Sequence, residues 1–314
     1  MSRISFVIPC YRSEKTIGAV VEEIEKTMGG RDYEIILVND CSPDGTVEAI
    51  KSLAAGDAHI TGVDLAKNFG QHAAIMAGFH QVTGDVVVCL DDDGQTPADE
   101  VDKLLEKIEE GYDAVYAYYP NKMHSGFRNW GSVLNKKMTE IMLSKPEELY
   151  VGSYFAIKRF LMDEILKYAG CYPYLMGLVL RSTKNICNVP VHHRERESGS
   201  SGYTIGKLIS LWMNGFTSFS VKPLRIANYI GCLSAVCGFI YMLVIIIRHF
   251  VSDAAPVGWS STTALLLLIG GIILVVLGMV GEYIGRIYMC INATPQFIVR
   301  DIYRSGKQTE QQGE

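Results

Sequence analysis

The chain has 314 residues, a formal net charge of −5 and 20% charged residues. The length allows one large domain or two small ones, and the net negative charge argues against a nucleic-acid-binding protein, which needs basic residues to neutralise phosphates. The eight cysteines have no CxxC spacing and several lie in apolar runs, so we expect buried thiols in a reducing compartment, not a disulfide or zinc framework.

Residues 1–200 alternate strand patterns with helical patterns. In chain order the predicted elements are strand Ile4–Ile8, a helix with apolar positions from Ile17 to Met28, strand Glu34–Val38, a short helix around Val47–Leu53, strand Ile60–Leu65, helix Gln71–Val82, strand Val86–Leu90, a helix with Val101 to Ile108 on one face, and strand Ala114–Tyr119. Thr96 and Pro97 are predicted to begin the last helix. This alternation predicts an α/β fold with a mainly parallel sheet covered by helices on both faces.

An acidic run, Asp91-Asp92-Asp93, precedes Gly94 and Gln95. It follows a predicted buried strand, and folding alone gives no reason to place three mutually repelling carboxylates there. A divalent cation does give one, because Mg2+ binds carboxylate oxygens and bridges them to substrate phosphates. The alternative is a solvated acidic turn that caps the next helix.

Two further polar segments follow predicted strands, with Tyr11 after the first strand and Asp40 after the second. The carboxyl ends of parallel strands meet in a ligand-binding crevice at the topological switch point of a sheet. We therefore expect these segments to converge with the acidic run. The chain has neither GxGxxG after its first strand nor GxxxxGK[ST], which argues against a Rossmann dehydrogenase and a P-loop NTPase.

Two long uncharged runs, 226–247 and 254–281, follow Arg225. Each is long enough to cross a hydrocarbon core of ~30 Å as a helix, and we predict a hairpin of two transmembrane helices at about 226–247 and 260–281. A buried helix pair in a soluble protein is the alternative. The N-terminus enters a strand pattern directly, so no signal peptide is expected.

Basic residues flank the two spans on their outer sides, whereas the loop between them carries only Arg248 and His249. The positive-inside rule then predicts a multi-pass cell-membrane protein with its soluble domain and both termini in the cytoplasm. The predicted organisation is a soluble domain at 1–200, a juxtamembrane amphipathic segment at 201–225, the two spans within 226–281, and a cytoplasmic tail at 282–314.

Seven segments form an ordered set of motifs. They are Val7-Ile-Pro-Cys-Tyr11, Val38-Asn-Asp-Cys-Ser-Pro-Asp-Gly-Thr46, Lys67-Asn-Phe-Gly-Gln71, Leu90-Asp-Asp-Asp-Gly-Gln-Thr-Pro97, Arg196-Glu-Ser-Gly-Ser-Ser-Gly-Tyr203, Ser218-Phe-Ser-Val-Lys-Pro-Leu-Arg225 and Gly281-Glu-Tyr-Ile-Gly-Arg-Ile-Tyr288. Together with two terminal spans, this set resembles the family 2 glycosyltransferases of the GT-A fold, and more narrowly the polyprenyl-phosphate glycosyltransferases of the dolichol-phosphate mannose synthase and GtrB type. The resemblance covers nearly the whole chain.

The resemblance implies an inverting enzyme that moves a sugar from a UDP- or GDP-hexose to a polyprenyl phosphate, such as undecaprenyl phosphate, in the lipid bilayer for cell-envelope glycan modification. It implies Mg2+ or Mn2+ as cofactor and a homo-oligomer, a tetramer in relatives. The donor-binding residues it implies are Pro9, Tyr11, Glu14, Asp40, Lys67 and Asp91. The metal ligands it implies are Asp91, Asp93 and Gln95.

The acceptor phosphate also needs cationic partners. We predict Arg194, Arg196, Ser201 and Lys207 there, near the membrane-proximal end of the soluble domain, with Arg196 catalytic together with Asp91 and Asp93. Lys207 is the candidate to replace a lysine that the family carries where this chain has Gly202; the alternative is that this phosphate contact is missing. Arginine suits bidentate phosphate contact, although a solvated strand edge with Glu195 and Glu197 as ion-pair partners is the alternative. The lipid phosphate has a second pKa of about 6 by analogy with phosphorylated side chains, so it is ionised at neutral pH and needs little help from a general base.

Two positions depart from the family pattern. Tyr154 stands where many relatives carry an Asp, and Gly202 stands where the family has a Lys. Residues 203–219 have the spacing of an amphipathic helix, lying either in the membrane interface or against the soluble domain. Residues 120–137 are either a lid over the diphosphate or a solvated loop.

Two other functions stay open at this stage. One is a family 2 transferase that extends a glycan on a lipid carrier. The other is a non-catalytic membrane subunit that binds a nucleotide-sugar. The intact set of Asp91, Asp93 and Gln95 weighs against the second, whereas Tyr154 and Gly202 weigh for it.

Overall fold

The structure, a computed structural model, describes residues 3–120, 146, 148–192, isolated positions between 229 and 247, 258–292 and 294–306. The chain divides into two compact units, one formed by residues 1–205 with 294–314 and the other by 206–293. The first unit is built around a single sheet of eight strands.

The strands lie in the order β7-β5-β6-β4-β1-β2-β3-β8. Their bounds are β1 Ile4–Cys10, β2 Tyr33–Asn39, β3 Ile60–Leu65, β4 Val86–Cys89, β5 Ala114–Tyr118, β6 Phe155–Lys158, β7 Ile186–Pro190 and β8 Val299–Arg304. The centre of the sheet, β4-β1-β2-β3, is parallel throughout. β6 runs antiparallel to β4 and β5, and β8 runs antiparallel to β3. The expected parallel core is therefore confirmed, within a sheet that is mixed toward its edges.

The helices of this unit flank the sheet. They are α1 Ile17–Met28, α2 Thr46–Gly56, α3 Gln71–Phe79, α4 Val101–Glu109, α5 Arg159–Leu166 and α6 Leu175–Ser182. Helices α1, α2 and α4 share one core with alternate strand residues such as Phe6, Leu37 and Val88. Helix α3 packs against β1 and β2 and buries every residue from Ala73 to Phe79. Residues on both faces of β1 and β2 are consequently buried, as expected for a sheet covered on both sides.

The start of α4 differs from its prediction. A 3-10 turn at Ala98–Glu100 precedes the helix, with Pro97 in the position before it. Thr96 does not cap the helix, because its hydroxyl donates to the carbonyl oxygen of Asp91 at 3.3 Å. The polar side chain at this junction thus stabilises the acidic turn, and not the helix N-terminus.

Several elements have no counterpart in the sequence analysis: β6, α5, α6, β7 and β8. Strand β8 lies within the segment that the sequence analysis treats as a tail, and it pairs with β3 from Thr61↔Arg304 to Leu65↔Val299. Residues 294–306 therefore complete the edge of the sheet beside β3.

In the second unit, the described residues include one long helix, α7, at Trp259–Ile291. It contains the predicted span 260–281 and continues beyond it, and residues 269–291 are long and apolar enough to cross a membrane. Glu282 and Arg286 pair one turn apart, with Nη2 2.7 Å from Oε1, as expected. The isolated described positions between 229 and 247 are helical.

Candidate active site

Three strand ends meet at the centre of the sheet, where the chain order reverses around β1. β1 lies between β2 and β4, so its carboxyl end is a topological switch point. The backbone N–H of Asp40 donates to the carbonyl oxygen of Cys10 at 3.0 Å, and the N–H of Tyr11 donates to Asp92 Oδ2 at 2.9 Å. The expected convergence of these segments with the acidic run is confirmed.

Asp91 lies just beyond the carboxyl end of β4 and is half-buried. Gln71, the first residue of α3, donates from Nε2 to Asp91 Oδ1 at 2.9 Å, and the Ser153 hydroxyl donates to Oδ2. The pKa of Asp91 is raised from 3.8 to about 6, chiefly by burial. The charges of Asp93 and Asp92 also raise it, while the hydrogen bonds from Ser153 and Gln71 lower it. The site therefore concentrates negative charge that a cation would neutralise.

Asp92 has a structural part that the sequence analysis leaves unassigned. Its Oδ2 accepts hydrogen bonds from the backbone of Tyr11 and from the hydroxyl of buried Ser13. Burial raises the pKa of Asp92, and these two donors oppose the effect. Asp92 thus ties the acidic turn to the loop between β1 and α1.

The turn continues through Asp93, Gly94 and Gln95. Gly94 has a φ of 71°, a left-handed conformation that glycine adopts without a steric penalty. Within this turn the backbone N–H of Gln95 donates to Asp93 Oδ1 at 3.1 Å. The carboxylates of Asp91 and Asp93 are one residue apart on a tight turn, which suits two oxygen ligands for one hard cation.

Asp40 organises the loop that follows β3. Its carboxylate is buried and accepts the backbone N–H groups of Phe69 at 2.7 Å and Gly70 at 2.8 Å. Burial raises its pKa, and these two hydrogen bonds lower it. Gly70 has a φ of 89°, which turns the chain into α3 and toward Gln71. Asp40 therefore shapes this wall of the crevice through the backbone.

The remaining donor-binding candidates lie around the same strand ends. Tyr11 is 45% exposed and presents a ring at the end of β1. Pro9 is buried within β1 opposite Val38, so only its backbone can take part. Glu14 accepts the N–H of Gly45 at 3.2 Å, and Lys67 is exposed with Nζ 4.9 Å from the ring centre of Phe69.

The family departure at Tyr154 has a structural explanation. The ring of Tyr154 is buried in the core, and its hydroxyl donates to the carbonyl oxygen of Pro97 at 3.0 Å. The preceding residue, Ser153, lies in a bend just before β6, and its hydroxyl donates to Asp91. Ser153 is a site residue that the sequence analysis missed, and its only sequence signal is its place one residue before Tyr154.

Two tyrosines add an aromatic wall. Burial, followed by the charge of Asp91, raises the pKa of both Tyr119 and Tyr150. Tyr150 is fixed through its backbone by Asn188, which accepts its N–H and donates to its carbonyl oxygen, both at 2.8 Å. These phenols stay protonated at neutral pH and can donate hydrogen bonds to oxygen atoms of a ligand.

The residues expected to bind the acceptor phosphate, Arg194, Arg196, Ser201 and Lys207, lie outside the described residues. The same holds for Gly202, for the predicted amphipathic helix at 203–219 and for the predicted lid beyond Pro120. The roles proposed for these residues and segments remain predictions.

Comparison with known proteins agrees with this fold. Residues 5–166 match the model of the family described as Glycosyl transferase family 2. Residues 222–287 match the model described as GtrB C-terminal hairpin. These two matches define the class of the protein, a family 2 glycosyltransferase domain followed by a GtrB-type C-terminal hairpin.

Among curated proteins, the chain is 33% identical to undecaprenyl-phosphate 4-deoxy-4-formamido-L-arabinose transferase of Proteus mirabilis (strain HI4320), over 100% of this chain and 98% of the relative. The chain belongs to glycosyl transferase family 2 and is a glycosyltransferase. The resemblance to the polyprenyl-phosphate glycosyltransferases with a GtrB-type hairpin is confirmed.

Solved structures share the fold. Glucosyl-3-phosphoglycerate synthase from Mycobacterium tuberculosis, in complex with Mn2+, UDP-glucose and phosphoglyceric acid, aligns with a TM-score of 0.52 at 18% identity, over 69% of this chain and 78% of that one. A complex of the same enzyme with Mn2+, UDP and phosphoglyceric acid gives a TM-score of 0.53 at 18% identity, over 69% and 76%. These likenesses support the GT-A-like fold of the first unit.

Proposed function

We propose that this protein transfers a sugar from a nucleotide-sugar to a polyprenyl phosphate at a membrane. The observation that carries the proposal is the acidic turn at the switch point, with Asp91 half-buried near Asp93 and held by Gln71 and Ser153. The polyprenyl-phosphate acceptor is supported by the name of the curated relative, which spans the whole chain. The apolar helix α7 supports a membrane location.

The donor chemistry of the turn fits a divalent cation, Mg2+ or Mn2+. No group of three or more His, Cys, Asp or Glu side chains that could hold a metal occurs in the part of the chain that the structure describes. Asp91 and Asp93, with the amide oxygen of Gln95, would therefore share the ion with diphosphate oxygens and water, as is usual for Mg2+. When bound, the cation would neutralise charge that develops on the departing nucleoside diphosphate.

The chain's own residues would hold the donor around this point. The exposed ring of Tyr11 offers a stacking surface for the base, and Lys67 offers a cation for the nucleotide. Asp40 keeps the loop carrying Lys67 in place. Ser153 and Gln71 orient the Asp91 carboxylate, so that its oxygens need no reorganisation when the leaving group gains charge.

The acceptor side of the proposal requires little acid–base chemistry. An ionised lipid phosphate is a nucleophile without a general base, and a direct displacement at the anomeric carbon inverts its configuration. Arg194, Arg196, Ser201 and Lys207 are proposed to bind this phosphate. A cytoplasmic catalytic unit, two membrane spans and a homo-oligomer stay predictions.

One assay tests the function. Full-length protein in detergent is incubated with undecaprenyl phosphate, Mn2+ or Mg2+, and a panel of labelled UDP- and GDP-hexoses that includes nucleotide-activated 4-deoxy-4-formamido-L-arabinose. Lipid-linked product with one donor is expected. Product formed only on a lipid-linked glycan would instead support a chain-extending transferase, and nucleotide binding without any transfer would support a non-catalytic subunit.

The metal site is tested by Asp93→Asn. This change removes a charged oxygen ligand without altering volume, so turnover should fall by a factor of about 100 or more while the thermal unfolding midpoint stays unchanged. Glu106→Gln is the matched control, since Glu106 is an exposed carboxylate on α4 away from the turn. Wild-type turnover in Asp93→Asn would remove this residue from the proposed site.

A further inference from the structure

Strand β8 carries an irregularity next to the donor-binding loops. Asp301 pairs with Asp64 and Val299 pairs with Leu65, so the register shifts by one and Arg300 is the additional residue on β8. A bulge of this kind turns a side chain out of its regular direction, and bulges are common beside functional sites. The position of Arg300 is therefore set by the bulge.

Arg300 contacts two residues at the end of the neighbouring strand β3, Asp64 and Ala66. Its Nη1 lies 3.6 Å from Asp64 Oδ2, and its Nη2 donates to the carbonyl oxygen of Ala66 at 2.9 Å. The N–H of Ala66 in turn donates to the carbonyl oxygen of Ile298 at 2.9 Å. Both backbone polar groups of Ala66 are thus bound by the β8 segment.

The guanidinium of Arg300 stabilises the buried carboxylate of Asp64. The residue is only 4% exposed, and burying a carboxylate is costly unless it is paired and hydrogen-bonded. Its Oδ1 accepts a hydrogen bond from Asn39 Nδ2 at 2.7 Å, while Oδ2 faces Arg300. Asp64 therefore connects Arg300 to the end of β2.

Both contacts lead to the loops proposed to hold the nucleotide. Asn39 directly precedes Asp40, and its Oδ1 accepts the N–H of Ser42 at 3.1 Å. Ala66 directly precedes Lys67 in the loop whose Phe69 and Gly70 N–H groups bind Asp40. Arg300 thus contacts the beginning of one loop directly and the beginning of the other through Asp64.

We propose that Arg300 is a positioning residue for the nucleotide part of the donor, which it affects by fixing the loops after β2 and β3. The proposal rests on the proposed function, because it concerns the affinity of the same donor site. Asp91 is held by Gln71 and Ser153 instead, so Arg300 should govern donor binding and leave the transfer step unaffected.

The test compares three variants of the full-length protein: Arg300→Ala, Arg300→Lys and Arg304→Ala. Arg304 is the matched control, because it lies on the same strand but donates to Gln81 Oε1 at 2.9 Å and touches neither donor loop. The Kd for UDP and for GDP with Mn2+ is measured by calorimetry, followed by kcat and the donor KM.

We expect Arg300→Ala to raise the nucleotide Kd and the donor KM by at least about fivefold, with kcat within about twofold of wild type. Arg304→Ala should bind like wild type. Arg300→Lys keeps a cation for Asp64 but lacks the planar fork that reaches two acceptors, so it should recover part of the affinity.

Three results would overturn the inference. These are wild-type affinity in Arg300→Ala, an equal loss in Arg304→Ala, or a lower kcat at unchanged KM, which is the signature of partial unfolding. An Arg300→Lys variant that binds no more tightly than Arg300→Ala would overturn the part assigned to the Asp64 ion pair. Failure of the wild type itself to bind any nucleotide would refute the proposed function, and is thereby distinguished from failure of this inference.

Discussion

The three adjacent aspartates of the acidic turn have different surroundings. Gln71 and Ser153 orient Asp91. Asp92 accepts hydrogen bonds from the loop after β1. Asp93 sits beyond them on the turn formed by Gly94, where it accepts the N–H of Gln95. The three identical side chains therefore differ: Asp91 is held by two side-chain donors, Asp92 stabilises the neighbouring loop, and Asp93 stabilises its own turn.

The raised pKa of Asp91 makes metal binding dependent on pH. Because the pKa rises from 3.8 to about 6 in the folded chain, the folded state retains a proton that the unfolded chain releases between these values. This group therefore makes the metal-free protein less stable as pH rises through that window. A bound cation offsets this loss, since it favours the ionised carboxylate.

We accordingly expect the increase in thermal unfolding midpoint caused by Mn2+ with UDP to be larger at pH 7.5 than at pH 5.5, where a proton competes for Asp91. Differential scanning fluorimetry of the full-length protein measures this difference. Asp91→Asn should abolish the pH dependence. A metal-induced shift that is equal at both pH values in the wild type would contradict the expectation.

Ser153 and its neighbour Tyr154 give a matched pair of variants. Removing the Ser153 hydroxyl deletes a hydrogen bond that lowers the pKa of Asp91, so Ser153→Ala should move the acidic limb of the kcat/KM profile to higher pH. Tyr154→Phe removes only the hydrogen bond to Pro97, which should lower stability by about 1 kcal/mol and leave the profile in place. An equal shift in both variants would place Tyr154 in the site.

At the scale of elements, the opposite ends of the strands are stabilised by a separate polar cluster. Glu34, at the start of β2, accepts hydrogen bonds from the Ser5 hydroxyl at 2.6 Å, from the Thr83 N–H at 2.6 Å and from the Gly84 N–H at 3.2 Å. Burial raises the pKa of Glu34, but these donors and the charge of Arg3 outweigh it and hold the pKa below 4.5. The amino ends of β1, β2 and β4 are thus tied together away from the candidate active site.

Glu34→Gln should therefore lower stability at pH 7 by about 1–3 kcal/mol without changing nucleotide affinity. The depressed pKa contributes stability above pH 4.5 that is lost as pH falls through the folded-state pKa, so the difference from wild type should shrink in acid. Thermal unfolding at several pH values and calorimetry with UDP provide the two readouts. A loss of nucleotide affinity would show that the two ends of the strands are coupled.

Elements with a clear local pattern of buried residues lie where their periodicity predicts them. The strands and helices up to Tyr118 appear at their predicted positions within a few residues, because burial at a spacing of two or of three to four residues reports directly on the element. β6 and β7 are four and five residues long, and such short runs carry little periodicity. The start of α4 was predicted wrongly because Thr96 bonds to Asp91, a contact specific to the turn.

At the scale of the whole molecule, the C-terminal segment returns to the first unit and adds β8 to the edge of the sheet. Tyr303 on β8 packs against the core beside α2, and Lys51 Nζ lies 4.9 Å from its ring centre. β8 also covers the edge of β3, whose backbone groups would otherwise be unpaired. The first unit is consequently formed from two ends of the chain.

Two truncations test this organisation. Ending the chain after Gly306 retains all of β8 and should leave the unfolding midpoint and nucleotide affinity unchanged. Ending it after Ala293 removes β8 with Arg300, which should lower the midpoint by about 4 °C or more and weaken nucleotide binding. Equal behaviour of the two truncated proteins would show that β8 contributes nothing to the first unit.

The parallel centre of the sheet and the acidic turn could be predicted from the residues alone, because both are local patterns. The likeness to family 2 transferases could also be predicted, because it depends on the order of seven short motifs. Three contacts became visible only in the folded chain. Ser153, and not Tyr154, donates to Asp91, Asp92 binds the loop after β1, and Arg300 contacts Asp64 and Ala66. These contacts join residues from distant parts of the chain, and no local periodicity specifies which of them meet. The acidic turn thus indicates the position of the candidate site in the sequence. The contacts that support this turn form only when the sheet has folded.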